Sequence, residues 1–265
     1  MKLSAHIKRW SAVTAAITVS AVALAACGGS GDSADGGERD TITIATSNDA
    51  PFSFVKDGKL TGIDGEMINA IAKENGWKVE VFTTVFSTLI AALKAKKADV
   101  IVDAMYVTDE RKKEIDFTDT WYTQGEAMIV PAESTITSRD ELQGKVLGGQ
   151  TGTAFADFIK GLKGGEIKLF DSQAALIQGI ANGQVDAAFT DSAVVSYSLV
   201  QNPNDKIKIV EPYEPFFPGT IGAGVRKDDT ALLTELNKGL VDLKASPRYV
   251  EILKKYGLTE ANAAK

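Results

Sequence analysis

From Thr41 onward the apolar positions follow two alternating periods. Ile42 and Ile44 recur every second residue, which predicts a strand over Thr41–Thr46. Met67, Ile68, Ile71 and Ala72 fall on one stripe of period 3.6, predicting a helix over Asp64–Asn75 that Gly76 stops. Val79 and Val81 alternate again. Ser87 stands where it could cap a helix carrying Leu89, Ile90 and Leu93, and Ala98–Asp103 reads as a buried strand. Strand, helix, strand, helix, strand is the order of a parallel sheet with helices on its faces.

The pattern then starts again. Strands are predicted at Glu126–Pro131, Lys145–Gly149, Val185–Phe189 and around Ile207 and Ile209. Ser138-Arg139-Asp140-Glu141 fits a capping box, and helices are expected over Ala154–Leu162 and Ser172–Ala181. After a proline-rich stretch, Glu211–Pro218, come a further strand-like run, Ile221–Arg226, and two closing helices. One carries Leu232, Leu233, Leu236, Leu240 and Leu243; the other opens at Ser246-Pro247 and ends at Gly257. The fold class is therefore α/β with two α/β units. One echo links them. Leu93–Val102 and Ile180–Phe189 each run from helix end through a polar turn to an Asp, Asp99 or Asp186, and then an apolar strand. Both Asp residues read as turn residues. Five positions after each, the chain leaves a strand's carboxyl end, where open α/β sheets bind ligands.

The first 40 residues do not fit this picture. Lys2, Lys8 and Arg9 precede a mainly apolar run, Trp10–Ala26, which ends in Leu24-Ala25-Ala26-Cys27. That is the layout of a secretory signal over 1–26, and its last four residues resemble the lipobox of bacterial lipoproteins. The resemblance implies cleavage before Cys27 and a lipid on its thiol, with an uncleaved membrane anchor as the alternative. Residues 27–40 are rich in Gly, Ser and charge and read as a flexible tether. Removal of 1–26 takes the formal net charge from −6 to −9 and removes His6, the one histidine; Cys27 is the one cysteine. A Ser-His-Asp triad, a Cys nucleophile in a pocket, a Cys/His zinc site and a His proton shuttle are thereby excluded. An acidic body without a basic stripe argues against nucleic acid as a partner.

Several stretches, in order and spacing, resemble one family. They are Ala50-Pro51-Phe52-Ser53-Phe54, Gly58 to Asp64, Leu89 to Lys94, Val107-Thr108-Asp109-Glu110-Arg111, Ile115 to Asp119, Gly152-Thr153 and Val185-Asp186-Ala187. The set is similar to the family 3 solute-binding proteins of ABC importers, the polar amino-acid type, over roughly residues 41–258. The resemblance implies a two-lobe periplasmic-binding-protein-like fold of type II. Each lobe would be a mainly parallel sheet flanked by helices, with a ligand cleft between the lobes. Lobe 1 would comprise 41–122 plus 220–265, and lobe 2 would comprise 123–219. The implied role is capture of a zwitterionic solute, most of all an amino acid, by lobe closure and delivery to permease subunits served by a separate ATPase. The chain carries no phosphate loop of its own.

The resemblance also assigns roles. Arg111, whose guanidinium matches a carboxylate fork, would grip the ligand's α-carboxylate, with Thr153 touching the same group from lobe 2. Asp191 would accept the α-ammonium. Phe52, Phe86 and Tyr106 would line the lobe-1 pocket, and Asp49 beside them suggests a cationic group on the ligand. Each has a plainer reading as well: surface ion pair for Arg111, N-cap for Thr153 and Asp191, core packing for the aromatics, turn residue for Asp49. Asn48 to Phe52, Phe86 to Ile90 and Met105 to Thr108 resemble the ectoine-binding branch too, which keeps a compatible solute as an alternative ligand. Two rivals of other classes stand beside these. One is a dehydratase-like enzyme using Glu126 or Asp191, and the other is a solute sensor. The expectations are completed by a monomer without cofactor or metal, held outside the cytoplasm by lipid at Cys27.

Overall fold

A computed structural model of the chain describes residues 39–162, 165–216 and 219–264. The predicted signal, Cys27 and most of the tether lie outside the described residues. Arg39, at the end of the expected tether, is pinned. Its guanidinium contacts Asp99 and Asp229 at 3.2 Å each, and Asp40 accepts from the Lys78 N–H at 2.8 Å. The folded body thus begins at Arg39, two residues before its expected start at Thr41.

The first stretch runs β1 (Thr41–Thr46), the hairpin β2 (Phe54–Lys56) and β3 (Lys59–Thr61), α1 (Ile63–Glu74) and β4 (Lys78–Thr83). It continues through α2 (Leu89–Lys94), β5 (Val100–Ile101), α3 (Asp109–Glu114), β6 (Asp116–Phe117) and β7 (Tyr122–Gln124). The middle is β8 (Glu126–Pro131), β9 (Leu147–Gln150), α4 (Ala154–Gly161), β10 (Ile167–Phe170), α5 (Gln173–Ala181), β11 (Ala187–Asp191), α6 (Ser192–Gln201) and β12 (Ile207–Ile209). The chain closes with β13 (Gly219–Ile221), β14 (Gly224–Val225), α7 (Thr230–Lys244) and α8 (Pro247–Lys255).

Two five-stranded sheets result, in the orders β4-β1-β5-β14-β6 and β10-β9-β11-β8-β12. Each holds three adjacent parallel strands followed by one reversed strand and a fifth that turns back again. The reversed strands, β14 and β8, are the ones that follow immediately on β13 and β7. Those two pair antiparallel with each other and carry the chain between the sheets. The expectation of mainly parallel sheets therefore holds for four strands in each. The exception is the strand by which the chain re-enters a sheet from the other side. The two units share one topology, and the Asp echo is real. The Asp99 carboxylate accepts from the Thr43 N–H at 2.8 Å, and Asp186 accepts from the Val146 N–H at 2.7 Å, so each ties its turn to the first parallel strand of its own sheet.

Burial follows position. β11, central and covered on both faces, is buried at all five residues, while the edge strand β4 keeps Val81 and most of its neighbours exposed. Helix α1 buries Met67, Ile68, Ile71 and Ala72 as its stripe predicts, and packs on α7 where Gly239 lets Ile71 approach. Two predicted caps fail. Ser87 sits inside a 3-10 turn, Phe86–Thr88, and does not cap α2, because the chain tightens before the helix starts. Ser138 to Glu141 forms only a 3-10 turn. Glu141 there accepts from the Thr137 N–H at 3.1 Å and the Ser138 hydroxyl points at it, so no reciprocal box forms. The predicted strand Ala98–Asp103 shrinks to Val100–Ile101: the Val102 N–H still donates to the Ala45 carbonyl at 3.0 Å, but Asp103 and Ala104 already line the space between the sheets.

Candidate functional site

The carboxyl ends of the parallel strands meet across one cavity of about 340 Å³ of space between atoms, its mouth included. All seven residues singled out in the sequence line it: Asp49, Phe52, Phe86, Tyr106 and Arg111 on the side of the first sheet, Thr153 and Asp191 on the side of the second. Local structure explains why they converge. Asp49 and Phe52 lie on a tight turn after β1, where Phe52 and Ser53 N–H groups donate to the Asp49 carbonyl. The Phe52 carbonyl accepts from the N–H groups of Asp64 and Gly65, so the turn is docked on the first turn of α1. Gly62 makes this contact possible: it sits at φ +98°, and a Cβ there would lie 2.3 Å from the Phe52 carbonyl oxygen.

Arg111 lies in α3, whose N-cap Thr108 accepts from the Arg111 N–H at 3.3 Å. Its guanidinium donates to the Tyr106 carbonyl at 2.8 Å and, across the cleft, to the Gly152 carbonyl at 3.0 Å. It also lies over the Phe86 ring, 5.5 Å from the centroid. Burial lowers it to about 10, opposed by Asp157 and Asp191, so it stays charged at neutral pH. Thr153 caps α4, accepting from the Ala156 N–H at 3.2 Å while its hydroxyl donates to the Gln150 carbonyl at 2.7 Å. The plain N-cap role is thus real, and it places the residue at the cavity wall. Asp191 sits at the N-cap position of α6 without a capping bond from its side chain. It instead accepts from Gln124 Nε2 at 2.6 Å. Burial pushes Asp191 up to about 8, opposed by a hydrogen bond from Tyr106 and assisted by the charges of Asp49 and Asp64.

Asp103 was not among the sequence candidates, yet it lines the same cavity and is only 3% exposed. A signal existed: it is a charged residue ending a buried run, at the place in the first unit that corresponds closely to Asp191 in the second. Burial holds it well above the usual carboxylate range, and repulsion from Asp49 adds to this. Asp49 is raised by burial too, against bonds from Ser47 and Gln150. Gln150 and Gln173, also missed, bring amide groups to the wall, and Gln150 Nε2 reaches across to Asp49 at 3.3 Å. The cleft is closed by such contacts. The Tyr106 and Phe155 rings meet edge to face with centroids 5.3 Å apart, and Gly152 lies so near Ser87 that a Cβ would stand 2.8 Å from its Cα.

Glu126, the other acid considered for a catalytic role, does not line this cavity. Its carboxylate takes bonds from Arg139 at 3.4 Å, the Tyr213 hydroxyl at 2.8 Å and the Phe216 N–H at 2.5 Å, which fasten the proline-rich stretch to β8. Among the described residues no group of three His, Cys, Asp or Glu side chains could hold a metal ion.

Comparison with known proteins agrees with this geometry. The profile of the bacterial extracellular solute-binding proteins, family 3, matches residues 42–259. A probable histidine-binding protein of Neisseria gonorrhoeae is 30% identical over 98% of this chain and 99% of its own length. The lysine/arginine/ornithine-binding periplasmic protein of Escherichia coli is 34% identical over 82% of this chain and 87% of its own. An ancestral arginine-binding protein bound to arginine superposes with a TM-score of 0.77 at 36% identity, covering 83% of this chain and all of that one.

Proposed function

This chain belongs to the bacterial extracellular solute-binding proteins of family 3, and from that premise we propose that it captures an amino acid with a cationic side chain and passes it to an ABC permease. Its class is solute binding in amino-acid transport, and the family is one of binding proteins, not enzymes. One observation carries the choice of ligand: a single guanidinium, Arg111, shares the cavity with three carboxyl groups, the buried Asp103 and Asp191 and the half-buried Asp49. A zwitterion answers Arg111 with its carboxylate and one acid with its ammonium. Two acids are then left over, and a cationic side chain answers those. The aromatic rings of Phe52, Phe86 and Tyr106 supply walls for the ligand's body. The relatives named for binding histidine, arginine, lysine and ornithine support this reading.

The β7 and β13 pair serves in this proposal as the hinge between lobe 1 (41–122 with 220–265) and lobe 2 (123–219). Ligand bonded to both lobes favours closure only through its better fit to the closed state. Export through residues 1–26 and anchoring by lipid on Cys27 complete the proposal. A thermal-shift screen of the twenty amino acids and ectoine tests it, since bound ligand raises stability by mass action. Arginine, lysine, ornithine or histidine should raise Tm more than neutral or acidic amino acids. A rise with ectoine alone, or with none of them, overturns the reading.

A further inference from the structure

Ser47 Oγ stands between two carboxyl groups. It contacts Asp49 Oδ2 at 3.0 Å and also bonds Asp103 Oδ2. Next to it, Thr46 Oγ1 contacts the Ser53 carbonyl at 2.9 Å and Asp103 Oδ1 at 3.0 Å. Each hydroxyl carries one hydrogen, while a carbonyl and an ionised carboxylate can only accept. Two hydroxyl hydrogens therefore face four oxygen–oxygen contacts. The Ser53 carbonyl can never donate, so the Thr46 hydrogen serves it best, and Asp103 Oδ1 is then left facing an acceptor. With that hydrogen committed, the single Ser47 hydrogen faces the three contacts made by the two carboxyl groups. One further hydrogen, held by the carboxyl pair, relieves another of them.

We propose that Asp103 and Asp49, bridged by Ser47, hold one shared proton and together form the receptor for the ligand's cationic side chain, which binds by displacing that proton. The proposal rests on the amino-acid reading above and assigns it a specificity-determining residue, Asp103. The exchange balances: a carboxyl O–H bond breaks, its proton leaves to water, and the N–H groups of an ammonium or guanidinium take over the freed oxygens. The surroundings favour it. Around the pair, Gln150 and Ser47 are neutral, and the charged or titratable neighbours are Asp191, Asp64, Tyr106 and Arg111. Arg111 is directed to the Tyr106 and Gly152 carbonyls and not to either acid of the pair. The direction in which both carboxyls shift agrees with a retained proton. A neutral side chain of similar length has no charge to exchange for the proton, so discrimination follows from the chemistry of the pair.

Calorimetry in two buffers of different ionisation enthalpy, at pH 7, reads the proton count directly. The probes are L-arginine and L-glutamine, because the α-ammonium of either one acts on Asp191 alike and the difference isolates the pair. Arginine should release about one proton more than glutamine. Asp103→Asn should abolish that difference and cut the arginine-over-glutamine preference by about tenfold or more. Ser47→Ala keeps both acids and breaks only the bridge; it should shrink the extra proton release, and it carries the test if Asp103→Asn does not fold. Equal proton counts for the two amino acids in the wild-type chain, or an undiminished preference and proton difference in the variants, overturn the proposal. Binding of neither amino acid overturns the amino-acid reading itself and this proposal with it.

Discussion

Arg111 does two things with one guanidinium. It offers a fork to a carboxylate, and it already bridges the cleft through the Gly152 carbonyl. Arg111→Ala should therefore cost about 2–5 kcal/mol of ligand binding, chiefly from a carboxylate left buried without its partner. Calorimetric affinity near that of the wild type would remove Arg111 from the site. Seven side chains were legible in the sequence because they sit in short motifs whose spacing survives without the fold. Asp103 was not, because its meaning depends on facing Asp49 from a different strand end. No periodicity encodes a pair that far apart in sequence. Gln150 and Gln173 escaped for the same reason: an amide in a strand end or a first helical turn looks like any other polar residue until the opposite wall is known.

Among the elements, most strands and helices were legible from period alone, and their errors are informative. The Ala98–Asp103 run is apolar enough for six strand residues, yet only two pair, because Ala104 takes positive φ and its N–H turns to the carboxylate of Asp64. Ser87 has the chemistry of a cap but is used to close the cleft against Gly152. The loop opening α4 depends on that glycine, which stands at φ +80°. Gly152→Ala should weaken ligand binding about tenfold, since strain and the contact with Ser87 both oppose closure. Small-angle scattering of the ligand-saturated variant should show a larger radius of gyration than the wild type. An unchanged affinity would mean that the loop yields freely. The paired turn aspartates predict a different outcome, in stability alone. Asp186→Ala leaves the Val146 N–H without its partner and should cost about 1–3 kcal/mol in urea unfolding. Asp99→Ala should cost more, because Asp99 also meets Arg39 at 3.2 Å and Arg226 at 3.7 Å.

For the molecule as a whole, the missing imidazole matters. His6 is the sole histidine of the chain, so titration of the folded body between pH 5 and 8 falls to its buried acids. Asp64 is pushed up to about 7 by burial, against bonds from Tyr122 and Ala104, and Asp191 to about 8. Unfolded, each releases its proton near its ordinary value of 3.8. The folded state holds more protons across that window, so stability falls as pH rises from about 4 to about 8. Without added ligand, Tm should be higher at pH 5.5 than at pH 8. Asp64→Asn should flatten the part of that slope below pH 7, and a flat wild-type profile would contradict the burial of these groups. The two-sheet topology carries a consequence for the order in which the chain can be finished. Every strand of the second sheet lies between Glu126 and Ile209, whereas the first sheet waits for β14 at Gly224–Val225. Domains generally complete from the N-terminus as synthesis proceeds; here the N-terminal unit is the one that must remain open. During synthesis and emergence of the chain, the later half can close first, and the earlier half is sealed only when the carboxyl-terminal strand and helices return to it.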